Sequence, residues 1–222
     1  MAELPQLHSD DTRERLLAAG LALFGRHGYD GVTTRMLAAA ARVNQSAIPY
    51  HFGGKEGVYR AVAEFIAAEM GPRIQSLTQE AEQRLQDPAT DPGELLVQVV
   101  RDLAAASFVP GHPLAWFIFL TREQFHPTPA FDVLYERFTR PGHTLVSRLL
   151  ARVSGQPEES PENLLLAHAL IGAMVAFGSA RTTLQRRLGW SESDYEPAQL
   201  QAMLAVIEQH CRATVAGLRR QA

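Results

Sequence analysis

Cysteine and lysine are almost missing from this sequence, and each shortage excludes something. A single cysteine, Cys211, forbids an internal disulfide and leaves no thiolate cluster for zinc, which suits a reducing cytoplasm. Lysine occurs once, at Lys55, beside 20 arginines, a bias that reads first as genome composition. No run of alternating β-branched residues asks to be a strand. No nucleophile-elbow serine, P-loop or dinucleotide fingerprint is present, so no enzyme constellation is expected. The N-terminal MAELPQLHSDD carries acids and no apolar core, unlike a signal or transit peptide. Leu164 to Ala180 is an uncharged run of 17 residues, just short of a membrane span. With His168 near its start and many small residues, it reads as a helix buried on several sides, so no membrane partner is expected.

What remains is a helical chain of 222 residues, 46% hydrophobic, with a net charge of −3. That balance excludes disorder and permits one domain or a domain and a half. Asp11 or Thr12 caps a first helix whose apolar face is Leu16, Leu17, Leu23 and Phe24, and Gly28-Tyr29 reads as a left-handed stop. Thr33 caps a short helix, Thr34 to Ala41. Arg42-Val43-Asn44 breaks it, and Asn44 caps another short helix that ends at Phe52. Gly53-Gly54 turns the chain into a helix beginning at Lys55, which Gly71-Pro72 is expected to stop.

Two short helices joined by a three-residue turn, with a supporting helix on either side, form a helix-turn-helix. The second helix of such a unit enters the DNA major groove. Charge agrees: Arg35, Arg42, Lys55 and Arg60 against Glu56 give residues 33–60 a local +3 in an otherwise acidic chain. Thr34 and Arg35 begin the first motif helix and can reach phosphates, and the caps Thr33 and Asn44 are DNA-binding candidates with them. Gln45 and Ser46 open the recognition helix and are placed to read base edges, and Pro49 to touch a thymine methyl.

The string Leu23-Phe24, Gly28-Tyr29, Thr33, Leu37-Ala38, Ala41, Val43, Tyr50-His51-Phe52 and Lys55 resembles the N-terminal domain of the TetR family of bacterial repressors. Asn44 to Glu56, with Thr121-Arg122-Glu123-Gln124-Phe125 and Pro127-Thr128-Pro129-Ala130-Phe131, is similar to its CecR (CerR-type) branch. The resemblance implies that Tyr50, His51 and Lys55 contact phosphates. Two positions depart from the family pattern. Arg42 stands where a glycine is usual, at a cost of about 1 kcal/mol if the turn stays left-handed. Pro49 lies past the first turn of a helix capped by Asn44, where it would remove a hydrogen bond and shorten or kink the helix.

The rest of the chain is also helical. A polar helix carries the stripe Ile74, Leu77, Ala81 and Leu85, and others cover Glu94 to Phe108, Leu114 to Phe125, Ala130 to Phe138 and Pro141 to Val153. Ser160-Pro161-Glu162 opens a helix that can run to Leu188, and Pro197 opens the last. Phe108, Trp116, Phe117, Leu120 and Phe131 crowd the middle helices as an apolar lining, with Arg122, His126, His168 and Arg181 able to orient a ligand. Glu123-x-x-His126 has the spacing of di-metal carboxylate bundles, but no second copy exists, so neither metal nor cofactor is expected.

These readings lead to an all-α, TetR-like fold: a helix-turn-helix domain at 1–54 and a helical effector and dimerisation domain at 55–222, linked by helix 55–70. The expected activity is a repressor that binds a palindromic operator in double-stranded DNA as a homodimer and is released by a small hydrophobic or amphipathic effector. The resemblance implies a four-helix dimer interface, built here from the helix after Pro161 and the last helix. The alternatives are an activator or corepressor-dependent regulator of the same fold, or a helical binding protein without DNA recognition.

Overall fold

The computed structural model describes residues 11–108, 114–191 and 195–220. Among these residues there are eleven α-helices and no strand. They are α1 Thr12–His27, α2 Thr34–Ala41, α3 Ala47–Phe52, α4 Lys55–Arg84, α5 Pro92–Ser107 and α6 Leu114–Phe125, then α7 Pro129–Leu134, α8 Arg140–Ser154, α9 Pro161–Ser179, α10 Arg181–Leu188 and α11 Pro197–Arg219. A short π-helical turn, Tyr135–Thr139, joins α7 to α8. The expected break at Pro110 to Pro113 and the N-terminal segment before Asp11 lie outside the described residues.

Two compact units divide the chain. One holds residues 11–70 and 114–137, that is α1 to α3, the first half of α4, α6 and α7. Its interior is built from the periodic apolar positions of α1, with Leu16 and Phe24 fully buried, together with Leu37, Ile48, Val58, Val62 and Phe119. Phe24, Tyr29, Tyr59 and Phe119 form a chain of edge-on, tilted and stacked rings with centroids 4.7–6.3 Å apart. The second unit holds residues 71–108, 138–191 and 195–220. Its core joins α5, α8, α9 and α11 through Leu95, Leu96, Leu145, Leu149, Leu170, Leu204 and Cys211. Burial pushes the Cys211 thiol up to about 11, so it holds no reactive thiolate at neutral pH.

Three local expectations are corrected. Gly71-Pro72 does not stop α4, which continues to Arg84 with Pro72 inside it. Met70, Ile74 and Ala81 are buried on one continuous helix, and that apolar packing outweighs an interior proline cost of roughly 3 kcal/mol. The helix from Pro161 does not reach Leu188 but breaks at Ala180, whose φ of −107° and ψ of 21° leave the helical region. Ser179 Oγ donates to the Val175 carbonyl, a back-bond that bends helices, just before the break. Gly28 has a positive φ of 72° but an extended ψ of 177°, so the stop it makes is not the left-handed helical kind.

α9 is long and apolar enough, by length and composition, to cross a membrane, and with 28% of that window buried it is not the helix buried on several sides that its composition suggests. Ala167, Leu170 and Met174 face the second unit's core, while Leu165 is 69% exposed and Leu164 and Val175 are exposed beside it.

Candidate DNA-binding interface

α2 begins where its sequence says it should. The Thr33 hydroxyl accepts from the Met36 amide at 3.2 Å, closing an N-cap, and Thr34 follows as the first helical residue. At the other end Arg42 is left-handed, with φ 54° and ψ 47°, and is the non-glycine residue of positive φ among those described. Its amide donates to the Ala39 carbonyl and the Val43 amide to the Ala38 carbonyl, the crossed pair of a Schellman stop. The turn therefore keeps its shape without glycine, and the chain bears the strain.

α3 starts later than its sequence suggested. Asn44 does not cap it directly; its side-chain oxygen accepts from the Ser46 amide at 3.0 Å and the Ser46 hydroxyl at 2.9 Å, and the helix proper begins at Ala47. This corrects the expectation for Pro49. It falls third in α3, in the first turn, and the Gln45 carbonyl it would have used is taken by the Ile48 amide. No hydrogen bond is lost at Pro49, and α3 is short, at six residues, because it starts late.

The tip of the motif is tied together by one long-range bond. Gln45 Nε2 donates to Thr34 Oγ1 at 2.9 Å, so the start of α3 and the start of α2 present one exposed polar edge. Arg35 and Ser46 are exposed on the same two helix starts. Tyr50 is 85% exposed, with its ring edge-on to His51 at 4.9 Å. Tyr50 thus adds an aromatic ring with a polar tip to the same exposed edge.

Behind α3, Gly53 and Gly54 have φ of 74° and 137°, and Gly57 lies so close to the Phe52 carbonyl that a Cβ there would fall 1.6 Å from its oxygen. These glycines set the entry of α4 and so place Lys55. The Lys55 Nζ donates to the Tyr29 carbonyl at 3.0 Å and sits 4.1 Å from the centre of the Tyr29 ring. One of its three N–H groups is used there, at the positive end of α4.

Residues 16–62 match the family described as "Bacterial regulatory proteins, tetR family", and residues 92–218 match "HTH-type transcriptional dual regulator CecR, C-terminal domain". The HTH-type transcriptional dual regulator CecR of Shigella flexneri is 33% identical over 197 residues, 87% of each chain. The chain belongs to the TetR family, in its CecR branch. Solved TetR-like structures share the fold at lower identity. A ketosteroid transcriptional regulator, KstR2 of Mycobacterium tuberculosis, superposes with a TM-score of 0.62 at 18% identity, covering 96% of this chain and 97% of its own. AibR, solved with isovaleryl coenzyme A and operator DNA, gives 0.65 at 14%, covering 90% and 97%.

Within this TetR-family regulator, two charged residues of α6, Arg122 and Glu123, hold the helix-turn-helix unit together. Arg122 donates from Nε to the Gly25 carbonyl and from Nη2 to the Arg26 carbonyl, both at 3.1 Å. A guanidinium there satisfies the last carbonyls of α1 and complements their negative end. Glu123, 1% exposed, accepts the Tyr59 hydroxyl at 2.6 Å and the Thr128 amide at 3.1 Å. Burial, and then the Glu123 hydrogen bond, push the Tyr59 phenol well above its ordinary range and keep it a donor. The Glu-x-x-His spacing thus serves packing at Glu123, while His126 is exposed.

The remaining candidate ligand residues divide between the two units. In the first, Trp116 meets the Phe65 ring at 5.5 Å, Phe117 and Leu120 are half-buried, and Phe131 stacks on Tyr135 at 5.8 Å. In the second, Phe108 lies edge-on to Tyr195, and the Arg181 guanidinium sits over that same ring at 5.3 Å. His168 stacks on His143 at 5.5 Å, and burial, helped by His168, holds the His143 imidazole below its ordinary range. Two arginines to which the sequence assigns no role, Arg13 and Arg15, come beside α3: Arg13 lies over the Phe52 ring at 5.2 Å, and Arg15 lines a concavity with Tyr50 and His51. Helical periodicity turns both away from the core and says nothing of α3, so no sequence signal marked them.

Proposed function

We propose that this TetR-family regulator is a ligand-responsive repressor that binds a palindromic operator as a homodimer in the cytoplasm. The observation that carries the reading is the bare polar edge of the motif: Gln45 bonded to Thr34, with Ser46, Arg35 and the 85% exposed Tyr50 beside it. Gln45 and Ser46 would read bases, Pro49 would meet a thymine methyl, and Thr33, Thr34, Arg35, Asn44, Tyr50, His51 and Lys55 would hold backbone. The "dual regulator" in the relative's name favours a second reading, in which the same protein also activates at some promoters.

A single motif reads one half-site, so useful affinity needs two. The exposed apolar stripe Leu164, Leu165 and Val175 on α9 supports that helix as the dimer face. Leu165→Glu places a charge there without touching a core, and the variant is expected to be monomeric by sedimentation. Its operator affinity should fall roughly a hundredfold as the second half-site contact becomes independent. A variant that stays dimeric with unchanged affinity removes α9 from the interface.

The effector would be a small hydrophobic or amphipathic molecule, in keeping with the half-buried aromatic residues of α6 and with an acyl-coenzyme A bound to AibR. α4 contributes residues to both units, and its continuity is the element an effector would act through. Binding must then be reciprocal: an effector that weakens operator binding is itself bound more weakly when DNA is present. A ligand that binds with unchanged affinity in the presence of the operator is not the inducer.

A further inference from the structure

Beside the recognition helix the first unit has an open concavity of about 530 Å³, walled by Thr12 and Arg15 of α1 and by Asn44, Ser46, Tyr50 and His51. We propose that it seats a backbone phosphate of the operator, with Arg15 as the cation that holds it. This rests on the DNA-binding reading above and adds to it a contact from α1, a helix otherwise occupied with packing.

Three features support a phosphodiester rather than an apolar ligand. The Arg15 Nη2 donates to Thr12 Oγ1 at 3.3 Å, but its Nε is buried with no hydrogen-bond partner. A guanidinium N–H removed from water without an acceptor is costly, and a small turn of the side chain toward an incoming oxygen would relieve it. No carboxylate lines the concavity; hydroxyl, amide and imidazole groups do, alongside the apolar Val43 and Ala47. Arg15 is also held in place. Leu16 and Leu17 next to it are buried, so its backbone is fixed, and Nη2 fixes one edge of its fork. The planar guanidinium can then offer further N–H groups to a tetrahedral anion. Tyr50 and His51, implied as phosphate contacts by the family resemblance, form the opposite wall. The seat therefore joins α1 and α3 around one anion.

The test uses the full-length chain and a DNA fragment carrying its operator, with affinity measured across a range of salt. Arg15→Gln is expected to weaken binding about tenfold, on operator and unrelated DNA alike, because a phosphate contact carries no sequence information. It should also lower the slope of log K against log salt by about 0.9 for each half-site. Arg15→Lys keeps the charge and should keep the slope. Unchanged affinity and slope in Arg15→Gln, or a loss confined to the operator, overturns the seat. If Arg15→Gln melts early by circular dichroism, a methylphosphonate scan of the operator with wild type and Arg15→Gln, run below that melting temperature, decides. One neutralised phosphate per half-site should cost the two proteins differently, and identical scans overturn the proposal. Failure of the underlying reading looks different, because the wild type would then show no salt-sensitive DNA binding.

Discussion

Glu123→Ala is expected to destabilise the helix-turn-helix unit by about 3 kcal/mol, more than any single surface change. Glu123 is 1% exposed, and its two oxygens accept from the Tyr59 hydroxyl at 2.6 Å, the Thr128 amide at 3.1 Å and the Thr128 hydroxyl at 3.0 Å. Truncation leaves a buried phenol and a helix-start amide without acceptors, each costing about 1–3 kcal/mol. It also frees Thr128, whose hydroxyl caps α7 by accepting from the Ala130 amide at 3.1 Å. The measurement is urea unfolding followed by circular dichroism, with Glu123→Gln beside it. The amide keeps one acceptor oxygen and should recover roughly half of the loss. A Glu123→Ala chain within about 0.5 kcal/mol of wild type would show that the network does not hold α6 to α4.

Lys55→Ala should weaken operator binding by about tenfold or more, the range of a lost charge-assisted hydrogen bond, and should lower the salt slope by about 0.9 for each half-site. Two positive features converge at this position: the ammonium itself and the N-terminus of α4, which begins at Lys55. The seat against Tyr29 matters as much as the charge. With Nζ held 3.0 Å from the Tyr29 carbonyl and over its ring, little side-chain freedom remains to be lost on binding DNA. Lys55→Arg should therefore bind less well than wild type despite its charge, because a planar fork does not fit a seat made for a compact ammonium. Anisotropy titrations of the three proteins at matched salt check this. Equal affinities would show that Lys55 serves only to brace Tyr29.

The motif was legible in the sequence because its determinants are local. Thr33 caps α2, the helix spans Thr34 to Ala41, and a turn that wants positive φ follows, all within a few residues. The single lysine at the start of α4 was legible for the same reason. Pro49 was misread because the start of α3 depended on an Asn44–Ser46 turn that periodicity does not register. The α4 break at Gly71-Pro72 was misread because a local proline penalty was weighed without the burial of Ile74 and Ala81.

Long-range roles were the hardest to see. Arg122 looked like a ligand-orienting cation among aromatic residues, yet its partners are the carbonyls of Gly25 and Arg26, far back in the chain. Glu123 and Tyr59 are 64 positions apart, and nothing in either neighbourhood names the other. Arg15 belongs to the same class. A helical pattern turns it outward, and only the packing of α1 beside α3 brings it to the recognition helix. The family resemblance supplied the frame in which these residues sit but not their pairings.

We propose that a dimer of this chain reads DNA through α3, with its phosphates held by fixed cations. It is tested most directly by titrating the wild-type protein against a fragment from its own promoter at several salt concentrations, with the stoichiometry measured in the same experiment. Two chains per operator are expected, with an affinity that falls steeply and linearly in log K against log salt, and unrelated DNA bound more weakly by a factor of about a thousand or more. An affinity that does not change with salt, or no preference for the promoter fragment, would contradict it.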